Sequence, residues 1–405
     1  PVSTIPVKLT AQMYEQNKAA GNLDVTLALM DLLNQPAASD LALSMKQIPV
    51  ALIDSLSGMD GKLYALLGNR IDELKVQASG PLDQNMAVEV SALGENLNVQ
   101  TQVQLSEQAI TLKPGSTVAL QVTPQSLGLL NKAMNPQYKA SDSTWQLTKP
   151  TQLKLTLPKL VLPKDASKIN QTQLGVDVTA STMSFAHRTL KTTLSIADLK
   201  LALDAQKLTD PIFAQLDAKI NGKDENGKAY QSEMISKTTI LNLINDKGEV
   251  DAVHATVKTN TAIPKLPIEL LDSLLNQQGK LAGIIGPTAR VSAKGSYPGD
   301  LNLEFVGDNT SISLPAKIDA DRKMTLREDA VARIKVNKQT AEALLKYGNP
   351  ILIDATESRE PVMAIISAKT FSAPLANFDI KNVVADIQLK LGTISLQDSW
   401  LLNSM

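Results

Sequence analysis

Two histidines, His187 and His254, are the chain's whole imidazole supply. A serine triad would need one of them between a nucleophile and a carboxylate. The two lie far apart in sequence, and no Gly-x-Ser-x-Gly elbow accompanies either. A lone histidine in strand-like sequence is read as structural. The chain has no cysteine, which excludes disulfides, thiolate zinc sites and a thiol nucleophile. Neither a phosphate loop nor a dinucleotide glycine fingerprint is present. Asp319-Ala320-Asp321-Arg322 and Asp224-Glu225-Asn226-Gly227 offer oxygens of the kind calcium takes, but neither runs on to a distal glutamate. Both read as solvated hairpin tips. Asp54 and Asp272 sit in matched sequence, as do Lys62 and Lys280. The expected role of the aspartates is a solvated helix face or a hydrogen bond to a neighbouring turn, not catalysis. No catalytic residue, metal ligand or cofactor is expected, and the chain is not expected to be an enzyme.

Composition narrows the partners. With 40 basic and 41 acidic residues, there is no basic footprint for nucleic acid. Aromatic residues make up 3%, too few for base stacking or for a barrel's interfacial girdles. No run approaches the roughly 18 apolar residues of a membrane-spanning helix.

The elements that would position any site occur twice. Ile48-Pro49-Val50-Ala51-Leu52-Ile53-Asp54-Ser55-Leu56 returns as Leu266-Pro267-Ile268-Glu269-Leu270-Leu271-Asp272-Ser273-Leu274. Gly61-Lys62-Leu63 and Gly279-Lys280-Leu281 follow, then Leu66-Leu67-Gly68 and Ile284-Ile285-Gly286. The echo continues through Asn135-Pro136 with Asn349-Pro350, and Pro150 with Pro361. A module of about 215 residues has been duplicated, which is far longer than a solenoid unit. The matched positions are apolar, Gly, Pro and capping residues, so the repeat preserves shape.

Within each copy the dominant period is two, the pattern of half-buried strands. Val99, Thr101, Val103 and Leu105 alternate with glutamines, and Leu153, Leu155 and Leu157 with Lys154 and Thr156. Leu194 and Ile196 change parity at Asp198 before Leu199, Leu201 and Leu203, which predicts a bulge or break there. One face is aliphatic and the other polar, the signature of antiparallel sheets with one wet side. Asn221-Gly222, Asn226-Gly227, Asp246-Lys247-Gly248 and Pro298-Gly299-Asp300 predict tight turns. Short helices open at prolines over 49–56 and 267–275, with proline in the first turn. Others are expected over 123–130 and 337–345, and a longer one over 11–20. Residues 27–33 suit either a helix or a strand.

The fold expected is all-β, mainly antiparallel, with a few short helices, built as elongated, internally duplicated β-rich modules. Residues 1–47 form the tail of a preceding unit, 48–263 the first module and 264–405 a truncated second copy.

An aliphatic sheet face must be covered. It can close into a dry core, or curl and leave a groove for an acyl chain or other apolar ligand. The alternating strands such as Gln152-Leu153-Lys154-Leu155-Thr156-Leu157, the proline-initiated helices such as Val122-Thr123-Pro124-Gln125-Ser126-Leu127 and the repeated module together resemble the AsmA-like superfamily of envelope proteins. That superfamily includes the TamB-type bridging proteins. The resemblance implies a periplasmic protein of the bacterial cell envelope, held at the inner membrane through segments outside this chain. It implies a curled sheet whose apolar lining carries phospholipids toward the outer membrane, with other envelope proteins or further copies of itself as partners. It implies no catalytic residues.

The residues themselves leave two readings open. One is a lipid groove through both modules, lined by Val99, Val103, Val118, Leu120, Leu153, Leu155, Leu157, Leu194, Leu201, Leu301, Leu303, Ile387 and Leu389. The other is a structural or adhesive spacer, or a filament-forming protein, made of closed β-modules.

Overall fold

Alternation of aliphatic and polar residues over 10 to 15 positions yields long strands, and these dominate the chain. A computed structural model describes residues 4–15, 18–30, 38–59, 62–81, 85–134, 139, 144–224, 226–245, 248–251, 254–275, 279–337, 340, 362–375 and 380–392. Among them, 22 strands form a long antiparallel sheet with few short helices. No described helix is long and apolar enough to cross a membrane.

In chain order the first elements are β1 (Thr4–Glu15), β2 (Lys18–Met30), β3 (Ala38–Pro49), α1 (Val50–Ser57), α2 (Lys62–Leu67), β4 (Arg70–Pro81), β5 (Asn85–Gly94), β6 (Leu97–Ser106), β7 (Ala109–Leu112), β8 (Ser116–Val122), α3 (Pro124–Met134), β9 (Trp145–Leu147), β10 (Thr151–Pro163) and β11 (Gln173–His187). There follow β12 (Thr193–Ala205), β13 (Ile212–Lys223), β14 (Ala229–Leu241), β15 (Thr256–Pro267), α4 (Ile268–Leu274), α5 (Lys280–Ile285), β16 (Thr288–Tyr297), β17 (Gly299–Gly307), β18 (Thr310–Ile318), β19 (Lys323–Leu326), β20 (Ala330–Val336), β21 (Val362–Pro374) and β22 (Val384–Leu391). Two units divide the chain: 1–185 with 198–214 and 242–251, and 186–197 with 215–241 and 252–405.

The series from β3 to β8 recurs as β15 to β20, helices included. Its hydrogen bonding recurs as well. In the first unit β6 pairs with both β7 and β8, and β10 pairs with both in turn. In the second, β18 pairs with both β19 and β20, and β21 closes on both. A strand long enough to seat two shorter partners end to end produces this split ladder twice. The sequence boundary between Ile263 and Pro264 lies inside β15, and that between Gln47 and Ile48 lies inside β3.

The helices pack at strand ends. Pro49 and Pro267 occupy the N-cap position, one residue before the first helical turn, with extended backbone. Gly58, at a φ of 65°, ends α1 in a left-handed conformation. Ile48, Val50 and Ile71 are buried there, with Ile53, Leu63 and Leu67 packed against them. Ile268 and Leu270 are buried at the matching place in the second unit. Gly68 and Gly286 follow the second helix of each pair at φ of 87° and 105°. A Cβ at either would lie 2.8 Å from a side chain, of Glu95 or of Asp308.

Several expectations change. Residues 11–15 and 18–20 belong to strands, not to a helix over 11–20, and 27–30 complete β2. The physical reason is pairing: Ala11 faces Leu23 and Leu27 faces Leu41, so a period-two aliphatic set outweighs helix propensity. The helices α2 and α5 were not anticipated, because six residues are too short to show a period. Asp198 has a φ of 53° within β12, as the parity change predicts. The matched Asn135-Pro136, Asn349-Pro350 and Pro361, the pair Asp246-Lys247, residues 31–33 and most of 337–345 lie outside the described residues.

Candidate functional site

The residues most capable of chemistry act as local fastenings. His187 Nδ1 accepts the backbone N–H groups of Thr189 at 3.3 Å and Leu190 at 3.0 Å, which closes the turn between β11 and β12. His254 is exposed in a turn before β15. Asp54 and Asp272 are buried, 6% and 3% exposed. Asp272 accepts the N–H of Leu281 at 2.9 Å and of Ala282 at 2.6 Å, two orphan donors in the first turn of α5. Asp54 does the same for Leu63 at 2.7 Å on α2. Asp319 caps its own hairpin tip through the N–H of Lys323 at 2.8 Å. Among the described residues, no group of three or more His, Cys, Asp or Glu could hold a metal ion.

One polar cluster was not legible beforehand. At the β13–β14 hairpin, buried Asp224 accepts the N–H groups of Asn226 and Lys228, both at 2.9 Å. The Tyr230 hydroxyl lies 3.0 Å from Asp224 Oδ2 and 2.9 Å from Glu269 Oε2. Lys228 Nζ donates to the same Glu269, in the first turn of α4. Desolvation first, then hydrogen bonds to Glu269 and Asp224, push the Tyr230 phenol well above its ordinary value. The Lys228 hydrogen bond, ahead of that from Tyr230, holds Glu269 below the usual 4.5. The cluster latches α4 to the hairpin.

A pH dependence follows from Glu269. Its native pKa lies below its unfolded value, so the unfolded chain takes up the proton first as the pH falls. The latch's contribution is full above the ordinary 4.5 and is lost below it. Lys228 is 58% exposed, so the increment is small, no more than about 1 kcal/mol. Urea unfolding above and below that pH should show the loss in the native chain and not in Glu269→Gln. An equal acid loss in both would contradict the assignment.

The larger feature is the aliphatic face. Residues opposite one another in a ladder share a face. In the first unit, Leu23, Met45, Leu74, Ala92, Val99, Val118, Leu155 and Val178 face one another in succession across eight strands. At ordinary strand spacing this row runs roughly 34 Å. A neighbouring row joins Leu97, Leu120, Leu153 and Ala180. Another joins Val7, Leu27, Leu41, Ala78, Val88, Val103, Leu112, Leu160 and Leu174. On the opposite face the matching row is Asp24, Ser44, Lys75, Ser91, Gln100, Thr117, Thr156 and Asp177.

The second unit repeats the arrangement. Ile263, Val291, Phe305, Ile312, Ala332, Ile366 and Leu389 form one row. Leu303 faces Leu314, Leu301 faces Ala316 and Ile387 faces Ala368.

Val99, Val118 and Leu155 thus share a row, Leu120 and Leu153 share another, and Val103 belongs to a third. Leu157 faces Ser116 beside a register shift in β10. Leu194 and Leu201 sit on β12, in different units. Eleven of the thirteen candidates are half-buried, while Ile387 and Leu389 are 62% and 61% exposed. The fully buried apolar residues are mostly alanines and residues beneath the helices. The rows also recruit Leu23, Met45, Leu74 and Val178, which alternation alone could have flagged. Comparison with protein-family models, with curated proteins and with solved structures finds no match to this chain.

Proposed function

We propose that the chain is a non-enzymatic lipid-binding protein of the bacterial envelope, whose aliphatic sheet face takes the acyl chains of phospholipids. The observation that carries this reading is the partial exposure of whole cross-strand rows of Leu, Val and Ile, backed by a polar face. A closed core would hide such residues, and an apolar surface left bare is an aggregation liability. Each methylene laid on such a face gains about 0.8 kcal/mol, so a chain of ten gains on the order of 8 kcal/mol. Periplasmic location, attachment through segments outside this chain, and phospholipid passage between membranes belong to the same proposal.

The test is titration with an environment-sensitive fluorescent acyl probe. A saturable blue shift, reversed by phospholipid, is expected. Absence of any saturable signal from monodisperse protein would favour the spacer reading.

A further inference from the structure

Four hydroxyls interrupt the aliphatic face of the second unit. Ser236 faces Thr261, and Thr238 faces Thr259, on the hairpin of β14 and β15. The side chains close a ring. Ser236 Oγ lies 2.7 Å from Thr261 Oγ1, which lies 2.9 Å from Thr259 Oγ1. Thr238 Oγ1 completes it at 3.3 Å from Thr259 and 3.4 Å from Ser236. The ring belongs to the apolar face, because Thr261 faces Ala293 and then Leu303, and Thr259 faces Gly295 and then Leu301. Two residues along each strand the face is aliphatic again, at Ile240 opposite Val257.

The other hairpin shows what this site would otherwise be. Counted from the matched Asp54 and Asp272, Thr259 and Thr261 correspond to Leu41 and Leu43. Their partners on the preceding strand are Leu27 and Val25. The same square of four positions is therefore wholly aliphatic in one copy and wholly hydroxylated in the other. Four like replacements on one face, at contiguous positions, specify a polar function inside an apolar lining.

The chemistry of the square is narrow. It carries four neutral hydroxyls whose four protons make the four bonds of the ring, so a guest meets a donor only where one of these bonds opens. The alternating neighbours Lys237, Lys258 and Asn260 point to the opposite face, so among the described residues of β14, β15 and β16 no cation stands beside it on the lining. A neutral acceptor flanked by hydrocarbon suits such a site, and an anion does not. Thr238 makes the two longest bonds of the ring, so its hydroxyl is the one most readily turned outward.

We infer that Thr238, turned out of this square, donates to a carbonyl oxygen of an ester-linked glycerolipid, placing the junction between acyl chain and glycerol at β14–β15. The inference rests on the lipid reading above and names the part of the lipid that this hairpin holds.

The experiment compares a diacyl phosphatidylcholine with its diether analogue of the same chain length, which lacks both carbonyls. Each displaces the acyl probe from the full chain. The diester should bind tighter than the diether by about fivefold. Thr238→Val alone should remove most of that preference, and the combination S236A, T238V, T259V and T261V should abolish it, while diether affinity should not fall, because the lining becomes more apolar. Circular dichroism of both variants confirms the fold, and the single variant serves if the combined one does not fold. Equal binding of diester and diether by the native chain would overturn the inference and leave the lipid reading standing. Failure of both lipids to displace the probe, or of the probe to bind, would sink both.

Discussion

Leu155→Asp should abolish phospholipid binding and leave a folded protein whose thermal midpoint falls by only a few degrees. Leu155 is half-buried between Val118 and Val178 in the eight-strand row. A carboxylate there keeps water on its open side when no lipid is bound. The cost to folding is then mainly the lost apolar burial, about 1–2 kcal/mol. With an acyl chain on the face, the same carboxylate must be desolvated against hydrocarbon, which costs several kcal/mol. Leu303→Asp should behave alike in the second unit, where Leu303 faces Leu314. Lys154→Asp provides the control, since Lys154 is exposed on the polar face opposite Ala119 and Thr179. It should change neither lipid binding nor stability appreciably. Thermal denaturation and probe titration of the three variants check this. Unfolding of Leu155→Asp at room temperature would mean that the row fills a closed core.

The second large effect concerns the repeated aspartates. Asp272→Ala removes the acceptor of two first-turn N–H groups at a site 3% exposed. Loss of a cap, together with buried donors left unpaired, costs about 2–4 kcal/mol. Asp54→Ala removes the acceptor of the Leu63 N–H at the matched, buried site and should likewise destabilise, by at least about 1–2 kcal/mol. Urea unfolding measures both. Lipid binding by the surviving folded fraction should be unchanged, because both residues serve helix pairs at strand ends. Lost binding with unchanged stability would assign these aspartates to the ligand instead.

Much of the fold was legible because period two is a local signal. Val99, Val103, Leu153 and Leu155 announce their strands, and the parity change at Asp198 announces its left-handed residue. The helix over 11–20 was misread because Ala, Gln, Met and Glu favour helices, whereas residues 11–15 pair antiparallel with 18–23, a register that propensity does not show. The rows themselves could not be read. Whether Val118 faces Leu155 or its neighbour depends on register, and a shift of one residue would exchange the two faces. The Tyr230–Glu269 latch joins residues 39 apart in the chain, with no spacing rule to reveal it. The hydroxyl square needed register and repeat together. Ser236 and Thr238 look like ordinary strand residues until Val25 and Leu27 are found at the same place in the other hairpin.

The most direct measurement is native mass spectrometry of the purified chain, with lipid extraction from the same preparation. Acyl chains resting on the aliphatic rows predict phospholipid bound at a defined stoichiometry, retained in Lys154→Asp and lost in Leu155→Asp and Leu303→Asp. A stable, monodisperse, lipid-free mass that stays lipid-free after incubation with phospholipid would contradict the account and make the chain a structural spacer.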